Sequence, residues 1–506
     1  MCSFILCLVF IINILPTFTS LEEDIFCSSE HLHQAMLEGS YVLRRVNVTK
    51  IPLKKTRDKI NRFRFDIGFY KSLSEKWTDG MARHPIYIYS MVRDLYSLRI
   101  LEKNLPHMIN VDNLPTKEDL EGTMSALIRL QYTYGLKVAE MAAGIIAGET
   151  SMSLSAEDCL LIGAQAHKEK KHECAIEWLN QALIVNSTRT KTLKAKIYSI
   201  KCKCESRMGM RTDALMSVTL WLKNDKDSIE AIEWRDKILN MPDRRNYNVL
   251  GDDMQNYITL CRGEMTKESY NSTIMSKLHC RFYDNNRHPL LVLQPARQED
   301  VRDDPHMKIY HDVILDGDIK VLKAIAKPKI KVSKVLKKVS SSKMKSSTAV
   351  DLRVSKGYGI TDTDPTYIKV RNKLFNRVQA ITGFYSKSNE ALQVANYGIG
   401  GYYSPHYDWS LLHADPMHND RIGTFLFYLN EVVAGGATVF PRIGVRVAPK
   451  KGDAVFWHNL QRNGTGNEKT FHAGCPVLLG TKWISNLWIR RHHQEFVQPC
   501  TLNEYE

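Results

Sequence analysis

Apolar residues recur at two different periods along the chain, and the change of period divides it. From about Leu21 to Glu149 the spacing is helical, most clearly between Leu120 and Leu136, where Leu127, Leu130 and Tyr134 share one stripe. This stretch gathers no polar residues of catalytic type, so a helical bundle or a coiled-coil dimerisation region is expected. Between Ser155 and Pro242 helical hairpins follow. Ala175, Trp178, Leu179, Ala182 and Leu183 form a stripe in which small and large residues alternate. That pattern suits a tetratricopeptide-like hairpin and, on spacing alone, a plain bundle equally well. After Arg244 the apolar runs shorten. Those at 393–403, 422–433, 437–440, 445–447, 454–459, 477–479 and 482–489 read as strands separated by Gly, Pro and Asn. The expected fold class is α+β and multidomain. Its parts are a leader at 1–20, a helical region at 21–149, a tetratricopeptide-like domain at 150–244, a linker at 245–300 and a β-rich domain at 301–506.

The leader carries no side-chain charge and contains the apolar run from Phe4 to Leu15, followed by Thr17, Thr19 and Ser20. It is expected to be a secretory signal peptide, because a membrane span needs about 20 apolar residues. With 506 residues, 43% of them hydrophobic and 25% charged, the chain is neither wholly disordered nor a multi-span membrane protein. Lysine and arginine total 70 against 55 acids, a net charge of +15. Part of that surplus has an address: ten lysines lie between Lys320 and Lys345, with no acid from Asp318 to Asp351. A solvated loop is the simplest reading, and a lid favouring acidic substrate sequences is the sharper one. A nucleic-acid partner is not expected, since a secretory leader conflicts with it and the lysines lack interleaved aromatic platforms.

In an oxidising compartment, Cys261 with Cys280 and Cys475 with Cys500 read as local disulfides, although spacing alone fixes neither. Cys202 and Cys204 sit one residue apart in a helical pattern and face opposite ways, which argues against a mutual bridge, and zinc is also poorly supported. Asn47, Asn186, Asn271 and Asn463 each begin an N-x-S/T sequon.

The strongest chemical constellation is His406-Tyr407-Asp408. In extended chain, residues i and i+2 project to one face, so an imidazole nitrogen and a carboxylate oxygen meet at one point. His472, 66 residues later and just before a predicted strand, can complete a two-histidine, one-carboxylate triad if the sheet closes into a barrel. Such a triad leaves three positions of an octahedral Fe(II) open. Two further H-x-D sequences, His413/Asp415 and His418/Asp420, flank Pro416 in a polar stretch without alternation and are read as surface residues. Lys482 opens an alternating strand in which Lys482, Ile484, Asn486 and Trp488 share one parity. Inside a barrel mouth, a lysine is costly without an anion, and a dicarboxylate co-substrate provides one.

These residues stand in text that resembles the catalytic domain of the collagen prolyl 4-hydroxylase α subunits. The matching segments run in order: Leu392-Gln393-Val394-Ala395-Asn396-Tyr397-Gly398, Gly435-Gly436-Ala437-Thr438-Val439-Phe440-Pro441, Gly452-Asp453-Ala454-Val455-Phe456-Trp457, Cys475-Pro476-Val477-Leu478 and Lys482-Trp483-Ile484-Ser485-Asn486. Arg129-Leu130-Gln131 and Asp158-Cys159 extend the resemblance weakly over the helical regions. It implies a double-stranded β-helix (jelly-roll) dioxygenase using Fe(II), 2-oxoglutarate and O2, with ascorbate restoring oxidised iron. His406, Asp408 and His472 would bind the metal, and Lys482 would pair with the distal carboxylate of 2-oxoglutarate with help from Tyr397 and Thr438. Tyr403, Arg421 and Trp488 would line the groove beside the reacting proline, and the two disulfides occupy family-like positions.

The implied partner is protein disulfide isomerase, as β subunit of an α2β2 assembly in the endoplasmic reticulum lumen. Because Asn503-Glu504-Tyr505-Glu506 is not a KDEL-type signal, retention would come from that partner. One departure concerns substrate. Ile200, Lys203 and Ser206 stand where tyrosines that stack on proline-rich peptide are expected, so this domain should bind Pro-Pro-Gly repeats weakly or not at all. The alternatives are a non-catalytic subunit that binds peptide or protein disulfide isomerase, and a dioxygenase acting on a non-collagen lumenal protein.

Overall fold

The computed structural model describes residues 29–45, 84–100, 114–185, 190–242, 250–270, 276, 278–333, 353–361, 363–386, 389–410, 419–499 and 501. The expected signal peptide, the sequons at Asn47, Asn186 and Asn271, the Ser/Lys-rich part of the lysine run, His413, Asp415, His418, Cys500 and the C-terminal tetrapeptide lie outside the described residues. A helical N-terminal region precedes a β-sheet domain. Among the described residues, no helix is long and apolar enough to cross a membrane.

The helices Pro85–Ile100 and Lys117–Tyr134 belong to one hydrophobic cluster with the first helical hairpin of the next region, Ala156–Lys168 and His172–Ile184. Both Lys117–Tyr134 and Ala156–Lys168 begin with a capping box, in which Thr116 pairs with Asp119 and Ser155 with Asp158. Each box satisfies two backbone N–H groups that a helix start leaves open. Asp158 then takes a second part, accepting hydrogen bonds from the Arg93 guanidinium and the Tyr89 hydroxyl. The stripe read from the sequence is internal: Ala175, Trp178, Leu179 and Ala182 are buried, and Trp178 Nε1 donates to Gln131 Oε1. Helices Lys191–Arg207, Arg211–Asn224 and Ile229–Leu239 continue the array.

In chain order the strands of the C-terminal domain are β1 (Cys280–Tyr283), β2 (Ala296–Arg302), β3 (Met307–His311), β4 (Lys331–Val332), β5 (Arg353–Val354), β6 (Lys356–Gly359), β7 (Gln393–Tyr397), β8 (Tyr402–His406), β9 (Arg421–Tyr428), β10 (Ala434–Gly435), β11 (Thr438–Phe440), β12 (Val445–Val447), β13 (Ala454–His458), β14 (His472–Gly474), β15 (Val477–Leu479) and β16 (Lys482–Arg490). They form a nine-stranded sheet, β1-β2-β3-β13-β9-β16-β7-β6-β4, and a five-stranded sheet, β12-β11-β14-β8-β5, with β10 pairing β15. The two sheets enclose one core. Leu426, Tyr428, Val455, Trp457 and Ile484 from the larger sheet meet Phe440, Val445 and Val447 from the smaller.

The opposite face of the larger sheet is covered as well. Phe425, Phe427, Trp483, Leu487 and Ile489 pack beneath the helices Asp316–Ala326 and Pro365–Thr382 through Ile319, Leu322, Tyr367, Leu374 and Val378. Burial on both faces explains why β9 and β16 read as nearly continuous apolar runs instead of strict alternation. Each large side chain so buried contributes roughly 1.5–3 kcal/mol.

Two expectations need correction. The segment 245–300, expected as a linker, instead supplies the helix Asp252–Arg262 and the strands β1 and β2 at the end of the larger sheet. Among the described residues the local disulfides are replaced by one long-range bond, Cys261–Cys475, with Cα atoms 5.6 Å apart and a sequence separation of 214; Cys280 is a free, exposed thiol at the start of β1. The reason is packing. Tyr257, Ile258 and Leu260 of the Asp252–Arg262 helix lie against Ala437, Val439 and Ala473, which carries Cys261 to the strand end that holds Cys475.

The helix Lys117–Tyr134 also docks on the β-sheet domain. Arg129 donates to the Gly400 carbonyl at 2.6 Å and its guanidinium lies over the Tyr402 ring, while the Tyr134 hydroxyl donates to the Pro476 carbonyl. Gly400 has φ +67°, and a Cβ there would approach Ala126 Cβ to 2.6 Å, so glycine both makes the turn before β8 and admits the helix.

Candidate active site

Strand β14 lies between β11 and β8 in the smaller sheet, and His406 and His472 are direct cross-strand partners. Neighbours across a ladder hold their Cβ atoms about 4.5–5.5 Å apart. Residues separated by 66 positions are therefore juxtaposed by register. Asp408 follows two residues after His406, where the chain leaves the strand. His406 Nε2 stands 3.8 Å from Asp408 Oδ1, and His472 Nε2 3.8 Å from Asp408 Oδ2. The ligand-type atoms of all three lie within 4.8 Å of one another.

Each imidazole is oriented by its other nitrogen. His406 Nδ1 lies 2.8 Å from the Ser404 carbonyl and His472 Nδ1 2.9 Å from the Thr470 carbonyl. A carbonyl only accepts, so both Nδ1 atoms carry a proton and both Nε2 atoms face Asp408. Burial, with His472 beside it, pushes the His406 pKa down and holds the ring neutral, the form that coordinates. Burial opposes the charge on Asp408, but His472, His406, Arg421 and the Thr424 hydroxyl together hold its carboxyl below the usual range. Thr424 Oγ1 donates to Asp408 Oδ2 at 2.7 Å and accepts from Asn459 Nδ2 at 2.8 Å, which fixes the direction of that bond.

Across a small cavity stands Lys482, on β16 opposite Tyr397 of β7. Its side chain is 4% exposed and has no anionic partner among the described residues. Nζ reaches only Thr438 Oγ1, at 3.5 Å, and lies over the Tyr397 and Tyr428 rings. Burial alone lowers its pKa to about 7. Thr438 Oγ1 also accepts from the Tyr428 hydroxyl at 2.9 Å, so the Thr438 proton is directed elsewhere, toward the cavity. A buried amine without a counter-charge beside a hydroxyl with a proton to give fits a carboxylate. Two imidazoles and a carboxylate beside it fit a divalent transition metal such as Fe(II).

Of the sequence candidates, Tyr397, Tyr403, His406, Asp408, Thr438, His472 and Lys482 line this one cavity, together with Ile484 and Asn486 of the β16 parity set. The Tyr403 ring stacks on His406 with centroids 3.6 Å apart. Arg421 and Trp488 do not line the cavity. They form a stacked pair 3.7 Å apart, with Arg421 in an ion pair with Glu390 and 3.4 Å from the Asp408 carbonyl. Asp420, from the second decoy motif, accepts hydrogen bonds from the backbone of Ser410 and Arg421. Sequence reasoning missed Thr424, Asn459, Tyr428 and Arg353, whose guanidinium lies 4.8 Å from the Tyr403 ring centre. For Thr424 and Tyr428 a signal existed: they share the inward parity of β9 with Leu426.

Comparison with known proteins follows this geometry. The 2OG-Fe(II) oxygenase superfamily matches residues 392–490, and the Prolyl 4-Hydroxylase alpha-subunit, N-terminal region, matches residues 43–148. Prolyl 4-hydroxylase subunit alpha-1 of Mus musculus is 32% identical over 495 residues, covering 90% of this chain and 90% of its own. Prolyl 4-hydroxylase subunit alpha-2 of Gallus gallus is 33% identical over 532 residues, covering 97% and 96%. Among solved structures, the viral collagen prolyl hydroxylase of Paramecium Bursaria Chlorella virus-1 in its 2OG complex is 24% identical and covers 37% of this chain and 97% of that one, with a TM-score of 0.30.

Proposed function

The chain belongs to the prolyl 4-hydroxylase α-subunit family, and we propose that it hydroxylates C4 of peptidyl proline in X-Pro-Gly-type sequences, consuming O2 and 2-oxoglutarate and releasing succinate and CO2. The observation that carries this reading is the convergence of three metal-binding donors beside a buried lysine that lacks an anion. His406, Asp408 and His472 would hold Fe(II), which when bound supplies dioxygen activation. The remaining work falls to the chain.

The Ser404 and Thr470 carbonyls fix the two tautomers, and Thr424 fixes the Asp408 rotamer. Lys482 and Thr438 would bind the distal carboxylate of 2-oxoglutarate, with Tyr397 flanking it and Tyr428 orienting the Thr438 hydroxyl. Tyr403 in the cavity, with Arg421 and Trp488 in the peptide groove beside it, would contact the substrate around the reacting proline. The Glu390 ion pair holds Arg421 in that position. Succinate release from short X-Pro-Gly peptides, with 4-hydroxyproline read by mass spectrometry, tests the assignment. Hydroxylation at another residue or another ring carbon would refute it.

The Lys482 environment sets a pH dependence. In the ligand-free protein its pKa is about 7, and an incoming carboxylate raises it. Above pH 7 the amine is neutral and must take up a proton to bind 2-oxoglutarate. Affinity therefore falls as pH rises between the ligand-free and ligand-bound pKa values, by up to about tenfold per unit. Calorimetry on Mn(II)-loaded protein at pH 8, in buffers of different ionisation enthalpy, is expected to show uptake approaching one proton per ligand. Lys482→Arg, always charged, should abolish the uptake.

We further propose assembly with a β subunit of the protein disulfide isomerase type as α2β2, residence in the endoplasmic reticulum lumen and maintenance by ascorbate, as the family membership suggests. The helical hairpins are proposed as a tetratricopeptide-like peptide-binding domain and the N-terminal helices as the dimerisation region. In those hairpins Lys203 is committed to an ion pair with Glu230 at 2.7 Å and lies over the Trp221 ring, so no tyrosine face is offered at that position. Region 151–242 is expected to bind Pro-Pro-Gly repeats weakly or not at all. Micromolar affinity in a titration would contradict this and restore a collagen-type preference.

A further inference from the structure

We propose that His167, His172 and Cys204 form a second metal site, separate from the Asp408 centre, that takes Zn2+ and clasps three helices of the N-terminal array together. His167 lies in the last turn of Ala156–Lys168, His172 is the first residue of His172–Ile184, and Cys204 lies on Lys191–Arg207. The turn between the first two helices is tight. Lys170 takes φ +62°, and the two imidazoles face each other with ring centres 5.3 Å apart. Into that fork the third helix presents the buried Cys204 sulfur, 3.1 Å from His167 Nδ1. The ligand-type atoms of all three residues lie within 4.8 Å of one another.

Tetrahedral zinc, with Zn–N about 2.0–2.1 Å and Zn–S about 2.3 Å, separates its nitrogen and sulfur ligands by roughly 3.5 Å. The His167–Cys204 spacing of 3.1 Å lies a few tenths of an ångström below that value, and the remaining ligand atoms stay within 4.8 Å. A second observation points the same way: His172 Nδ1 is buried and has no hydrogen-bond partner among the described residues. Buried polar atoms are nearly always satisfied, and a metal would satisfy this one. The donor set of two imidazoles and one thiolate suits a borderline-soft cation and not Ca2+ or Mg2+. On binding, the Cys204 thiol loses its proton to solvent, and the thiolate charge offsets the nearby cations Lys203 and Arg207. Both histidines are only partly buried, which leaves a fourth position for water.

The site was not legible in Cys202-Lys203-Cys204. Cys202 turns into a different cluster with Val218 and Trp221, while Cys204 joins the core of the first hairpin, so the remaining ligands come from the neighbouring hairpin instead of the adjacent cysteine.

Cobalt titration of the full-length chain tests the site independently of activity. The Asp408 centre contains no thiolate, so a near-ultraviolet thiolate-to-cobalt band separates the proposed site from it, and Cys280→Ser removes the exposed thiol as a source. The band should saturate at one equivalent, vanish in Cys204→Ser, persist in Cys202→Ser and be displaced by Zn2+. His172→Gln, at a partly exposed helix start, keeps the fold measurable should Cys204→Ser not fold; it should weaken cobalt binding at least tenfold and cancel any rise in melting temperature that Zn2+ gives through this site. Absence of the band in the parent chain, its survival in Cys204→Ser, or unchanged affinity in His172→Gln would each overturn the proposal.

Discussion

Replacing Lys482 with methionine is expected to raise the KM for 2-oxoglutarate by about two to three and a half orders of magnitude. Removing one partner of a buried ion pair costs about 3–5 kcal/mol, and each 1.4 kcal/mol is a factor of ten. The same substitution should raise, not lower, the melting temperature of the ligand-free protein. There the amine is buried against the Tyr397 and Tyr428 rings without a counter-charge, and a thioether of similar length removes that desolvation cost. Opposite signs for affinity and stability separate a binding role from a packing role. A variant that loses both would indicate that Lys482 holds the β16 strand in place and nothing more.

His406→Ala, Asp408→Ala and His472→Ala are each expected to reduce succinate release to background, a loss of at least about a thousandfold, because a two-donor site neither retains nor orients the metal. His413→Ala, in the neighbouring decoy motif, should keep parental activity. Equal activity in all four variants would remove the assignment. Thr424→Val should fall between these extremes, since it leaves the three donors and releases only the Asp408 rotamer; loss of an outer-shell partner typically costs ten- to a hundredfold in metal affinity or activity.

The parts of the fold that could be read from the sequence are those whose physics is local. Along β16 the two-residue period of extended chain alone places Lys482, Ile484 and Asn486 on one face, and the i, i+2 relation of His406 and Asp408 needs only a strand that ends at the right point. Choosing His472 required more, because its pairing with His406 is a register made by folding and left no mark in the spacing. The segment taken for a linker hid its strands for a chemical reason. The inward positions of β2 are Ala296, Gln298, Asp300 and Arg302, and Asp300 is satisfied by Lys308, Arg281 and Gln298 instead of by apolar packing. A strand whose buried face is a polar network shows no hydrophobic period.

The disulfide failed for a related reason: Cys261 and Cys475 are 214 residues apart, and only the docking of an amphipathic helix on β11 and β14 brings them together. The helix Pro365–Thr382 did carry local punctuation, with Asp364 capping Thr366 and Tyr367, Pro365 in the first turn and Gly383 closing the C terminus. That signal was obscured by reading the whole domain as strands. Substrate choice is the least legible feature, because under the proposed peptide-binding role of the helical array it would depend on which side chains that array exposes and not on the catalytic set.

A crystal structure of the protein with Mn(II) and 2-oxoglutarate tests the central claim most directly. The account predicts an anomalous peak within coordinating distance of His406 Nε2, an Asp408 carboxylate oxygen and His472 Nε2, with the distal carboxylate of the co-substrate against Lys482 Nζ and Thr438 Oγ1. A peak held by other residues, or a co-substrate carboxylate turned away from Lys482, would contradict it.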